Sequence, residues 1–173
     1  MIGDQERDVD RIEARAKETG TNLFARMASI YAASRKQAQD LLQIGGGISI
    51  VEWRTLWDLH EAGPMTISDL ALTQRADHSQ LSRALPQMRE KGLVSMRQAT
   101  RDGRQTIVSL TAKGRDAYHL AAPIMGRRRA ALADAFTRAE FAELVACLDR
   151  VEAFVRRPAG DILSKEEIKC RYT

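Results

Sequence analysis

At 173 residues with 44% hydrophobic side chains, the chain can bury a packed core with extensions to spare, which excludes general disorder. Its formal net charge is only +4, yet residues 75–115 hold nine basic and three acidic side chains; that stretch carries +6, the remainder −2, and such a concentration attracts a polyanion. Aromatic residues are 5%, too few for a platform that stacks single-stranded bases, and the two cysteines, Cys147 and Cys170, form neither a disulfide framework nor a zinc-spaced set with the three histidines.

In chain order, residues 4–18 read as a charged helix with a thin stripe of Val9, Ile12 and Ala16, interrupted at Gly20. Leu23, Met27, Ile30, Ala38 and Leu41 then repeat at helical spacing until Gly45-Gly46-Gly47 ends the run. Ser49 can cap a second helix carrying Ile50, Trp53, Leu56, Trp57 and His60, stopped by Gly63-Pro64. Thr66 with Asp69 makes a capping box for a short third helix, and Asp77 with Gln80 caps a fourth whose core stripe is Leu81, Leu85 and Met88. Pro86 sits inside that fourth helix, so a kink or an irregular turn is expected after Arg83. Residues 93–98 and 105–110 are β-rich around Arg101-Asp102-Gly103, a hairpin signal. Thr111 opens a helix carrying Tyr118, Met125, Leu132 and Phe136, and Thr137 with Glu140 opens a last one, broken by Pro158-Ala159-Gly160.

Two short capped helices followed by a hairpin make a winged helix-turn-helix, so the expected fold is mainly α with a small β-hairpin wing. The fourth helix then offers Ser79, Gln80, Ser82, Arg83 and Gln87 to a major groove, where Arg reads guanine and Gln reads adenine with paired bonds. At the hairpin tip, Arg101 and Arg104 suit a narrow minor groove, with Asp102 pairing an arginine to hold the wing's shape. The broad apolar stripes of the first and last helices exceed what one winged domain covers, which predicts a homodimer. The expected organisation is a charged extension (1–20), a helical dimerisation region (21–47 and 115–156), a winged domain (48–114) and a polar tail (157–173). Trp53, Trp57 and His60 share a helix face that suits either an effector pocket or ordinary core. Cys147 reads as a buried, inert thiol.

The run from Thr66 to Tyr118 resembles the DNA-binding core of the MarR family of regulators, through Leu70-Ala71, Ser82-Arg83, Lys91-Gly92-Leu93-Val94, Asp102-Gly103-Arg104, and Leu110-Thr111 with Lys113-Gly114. The resemblance covers about residues 20–156. It implies homodimers on palindromic double-stranded operators, often as repressors released by a small phenolic or aromatic ligand, with Arg104 on DNA and Asp102 orienting it. The alternative is an effector-binding or protein-interaction module on the same fold without DNA affinity. The sequence holds no nucleophile–base set, metal cluster or phosphate loop, so neither enzyme activity nor a cofactor nor a metal is expected. With no apolar secretory core in MIGDQERDVD and no membrane-length apolar run, a reducing cytoplasm and no membrane partner are expected.

Overall fold

A computed structural model describes residues 8–75, 77–98 and 105–162. Helices α1 (Val9–Thr21), α2 (Leu23–Ile44) and α3 (Ile50–Ala62) lead into strand β1 (Met65–Thr66), then α4 (Ile67–Gln74), α5 (His78–Glu90), β2 (Val94–Gln98), β3 (Thr106–Leu110), α6 (Ala112–Ala133) and α7 (Arg138–Val155). The chain divides into two compact units, Met1–Gly126 and Arg127–Thr173. No helix among the described residues is long and apolar enough to cross a membrane.

The helix starts follow their caps. Ser49, Thr66 and Thr137 each close a capping box, with Glu52, Asp69 and Glu140 reaching back. The first break falls at Asn22 rather than at Gly20. Asn22 leaves the helical conformation and its side chain accepts from the Ala25 amide, so it ends α1 and caps α2, while Gly20 stays helical. The sheet also differs from a bare hairpin: β1 adds to β3 to give the antiparallel order β1-β3-β2, with Met65 opposite Val108 and Val94 opposite Leu110. Two residues carry no period, so β1 was not legible in the sequence. α6 stops at Ala133, leaving Phe136 in the connection, edge-on to Phe141 with ring centroids 6.3 Å apart.

The core of the first unit gathers Leu42, Trp53, Leu56, Leu70, Leu81, Leu85, Met88, Leu93, Val94, Val108 and Ala121. Leu81, Leu85 and Met88 recur at helical spacing and anchor α5 on both sides of Pro86. α5 accordingly runs unbroken from His78 to Glu90 with Pro86 inside it, and the irregular turn expected there does not form. Burial of three large side chains, at about 1.5–3 kcal/mol each, outweighs the roughly 3 kcal/mol that a helical proline costs.

The junction between α5, the wing and α6 explains two of the short motifs. Gly92 adopts φ 73°, the left-handed turn that ends α5. The Thr111 hydroxyl donates to the Gly92 carbonyl at 2.6 Å and accepts from the Gly114 amide at 3.0 Å, so it caps α6 while tying it to the end of α5. A Cβ on Gly114 would stand 2.0 Å from the Leu93 carbonyl oxygen, so only glycine fits.

Candidate nucleic-acid interface

The fourth helix of the sequence reading is α5, and its solvent side is built as its periodicity demands. Ser79 and Arg83 stand opposite the buried stripe; Gln80, Ala84 and Gln87 line one flank, and His78, Ser82 and Arg89 the other. Ser79, Gln80, Ser82, Arg83 and Gln87 are all exposed. Asp77 caps the helix by accepting from the Ser79 amide at 2.9 Å. Its carboxyl lies below the usual range, first through the Ser79 backbone and side-chain bonds and then through the nearby charges of Arg83 and His78. Arg83 donates its Nε to the Ser79 carbonyl at 3.2 Å, which steadies the guanidinium over the first turn without neutralising it. Arg97 adds an exposed cation on β2. Arg101, Asp102 and Arg104 lie outside the described residues; strands β2 and β3 are paired as far as Gln98 opposite Thr106.

Two links hold α5 and the turn before it against α3. Lys91 Nζ stands 2.7 Å from Glu52 Oε1, and Glu52 is 5% exposed. Burial raises the Glu52 pKa, but the bonds from Lys91 and Ser49 outweigh it and leave the carboxyl below its ordinary value. Arg54 donates to the Gln74 carbonyl, and Gln74 Nε2 bonds Thr55 Oγ1 at 3.3 Å. Sequence reasoning missed both links. Glu52 and Lys91 are 39 positions apart, and the signal that could have marked Glu52 was its capping-box spacing from Ser49.

Beside α5 lies a cleft of about 370 Å³, also absent from the sequence reading. It is lined by Gln80, Arg83 and Gln87 of α5, Tyr31 and Arg35 of α2, and Arg54 of α3. Among the described residues, no carboxylate lines it. Arg35 sits over the Tyr31 ring at 5.7 Å.

Trp53, Trp57 and His60 do come together, in one aromatic ladder with α6. Trp53 stacks between Trp57 (5.8 Å) and Tyr118 (5.6 Å), and His60 stacks on Tyr118 at 4.0 Å. Trp53 is buried and His60 is exposed. In the second unit, Cys147 is exposed rather than buried, with Arg150 Nη2 3.5 Å from its sulfur.

Residues 49–114 match the family described as the winged helix DNA-binding domain. A curated relative, the HTH-type transcriptional repressor IacR of Pseudomonas putida, is 34% identical over 67 residues; the match spans 39% of this chain and 40% of that protein. Among solved structures, the S. aureus MepR–DNA complex superposes with a TM-score of 0.70 at 18% identity, covering 78% of this chain and 98% of MepR. AbsC, a MarR family transcriptional regulator from Streptomyces coelicolor, gives 0.67 at 23% identity, covering 87% and 99%. The PcaV regulator from the same organism, solved with its natural ligand, gives 0.67 at 15%, covering 78% and 94%. Residues 49–114 therefore match a winged helix DNA-binding domain, and the chain shares the fold of these solved regulators.

Proposed function

We propose that this chain is a homodimeric transcriptional repressor that lays two copies of α5 in successive major grooves of a palindromic operator. The observation that carries this reading is the exposed face of α5, where Arg83 is braced on the Ser79 carbonyl and flanked by Gln80. Arg83 and Gln80 read base edges, Ser79 and Ser82 support them, and Gln87 reaches the flank. Arg101 and Arg104 grip the adjacent minor groove or its phosphates, with Asp102 holding the wing. Homologous solved structures with DNA and with a natural ligand support the same assignment.

The dimer is supported by unpartnered apolar faces in each unit. Val9, Ile12, Leu23, Phe24 and Ile30 are exposed in the first unit; Phe141, Leu144, Val145, Leu148 and Val155 are exposed in the second. Covering them with a second copy places the two reading helices about 34 Å apart, one turn of duplex. A small aromatic effector acts by favouring a spacing that the operator does not accept, with the exposed edge of the Trp57–His60 ladder as its seat.

Selection of genomic fragments by the purified protein, repeated with aromatic acids present, tests this reading. The expected product is an inverted repeat whose recovery falls when an effector is added. Arg83→Ala is expected to lose the preference for that repeat over random duplex, at about 1–3 kcal/mol per base contact. Selection without any consensus sequence refutes the proposal.

A further inference from the structure

We infer that the duplex contact extends beyond the winged helix onto α2: the cleft beside α5 receives the phosphodiester strand that borders the major groove, and Arg35 neutralises one of its phosphates. This rests on the DNA-binding reading above. A helix of about 10–12 Å diameter fills a major groove about 12 Å wide, so a strand lies against each of its flanks. The flank of α5 that bears Gln80 and Gln87 lines the cleft together with Tyr31 and Arg35 of α2. A strand on that flank therefore passes over the cleft mouth.

The charges suit a polyanion. Arg35, Arg54 and Arg83 line the cleft, and among the described residues no carboxylate does. Arg54 is engaged by the Gln74 carbonyl, and Asp58 lies within electrostatic reach of it, so part of its charge is already offset. Arg35 is exposed and steadied by the Tyr31 ring, a contact that orients a guanidinium while leaving its full charge for a phosphate. Nothing in this contact reads a base, so it adds affinity without sequence preference.

The test measures duplex affinity of the full chain against salt concentration, on a selected operator and on random duplex. Arg35→Gln is expected to weaken both duplexes together and to flatten the log–log salt slope by about 0.9 for each protomer bound. Over 50–200 mM salt, that is a loss of affinity about threefold smaller per protomer than in the wild type. Lys36→Gln is the control: Lys36 is the next residue of α2, lies outside the cleft and pairs with Asp40 at 3.0 Å, and its slope is expected to match the wild type. An unchanged slope for Arg35→Gln overturns the inference, as does a loss confined to the operator, which marks a base reader. A melting temperature raised by 4-hydroxybenzoate in the wild type but not in Arg35→Gln, with the slope unchanged, assigns the cleft to small anions instead. If the wild type binds no duplex at all, the DNA reading itself fails; if it binds and only the Arg35 slope is unmoved, this inference fails alone.

Discussion

Removing the Lys91 ammonium is expected to cost more than removing the Glu52 charge, although the two make a single ion pair. Glu52 is 5% exposed, whereas the Lys91 side chain is 59% exposed. In Lys91→Met the carboxylate stays buried and still accepts from the Ser49 amide; in Glu52→Gln the freed ammonium turns to water, and glutamine still closes the capping box. A fully buried pair broken on one side costs about 3–5 kcal/mol. The solvent around Lys91 screens this one, so about 2 kcal/mol is expected for Lys91→Met and about 1 kcal/mol for Glu52→Gln. The double variant should fall near Glu52→Gln, because the orphaned charge is then gone.

The pH dependence has a definite sign. The folded pKa of Glu52 is lowered from 4.5, so its contribution is present above that value and is lost as pH falls through the folded pKa. The gap between wild type and Lys91→Met should therefore close below about pH 4.5, because protonation relieves the stranded carboxylate in the variant first. Urea unfolding followed by tryptophan fluorescence reads this directly, since Trp53 and Trp57 lie on the helix that carries Glu52. Lys91→Met costing no more than Glu52→Gln, or a gap constant from pH 7 to pH 4, would refute the assignment of Glu52 as the buried partner.

Other substitutions separate packing from propensity. Gly114→Ala forces a methyl against the Leu93 backbone carbonyl and is expected to destabilise by more than about 3 kcal/mol or to prevent folding, seen as loss of soluble protein or of the cooperative thermal transition. Gly20→Ala meets nothing within 4 Å at an exposed helical position and is expected to stabilise α1 by about 0.5–1 kcal/mol, measured as added helicity by circular dichroism. Thr111→Val keeps the shape but removes the hydroxyl that joins Gly92 to Gly114, and should cost about 1–2 kcal/mol by urea midpoint.

The helix-turn-helix was legible because its signals are local. Each capping box spans four residues, and the Leu81, Leu85, Met88 stripe needs only the periodicity of one helix. The exposed face of α5 followed directly, since fixing the buried side of a helix fixes the opposite one. The break at Asn22 was misplaced because Gly20 is the stronger breaker by propensity, whereas a cap bond to Ala25 chose the site. At Pro86 the local cost was visible in the sequence, but the buried stripe that keeps the helix continuous and removes the irregular-turn alternative was decided by the core.

The sequence by itself therefore determined where the side-chain-capped helices α3, α4, α5 and α7 begin, which side of α5 meets solvent and that basic residues cluster around it in the chain, because those properties depend on neighbours within a turn or two. Only the tertiary structure decided that Lys91 finds Glu52, that Gly114 must pass the Leu93 carbonyl, and that Arg35 comes to share a cleft with Arg83. Those pairings join residues far apart in the chain, and nothing in local periodicity records which distant surfaces the burial of a common core brings together.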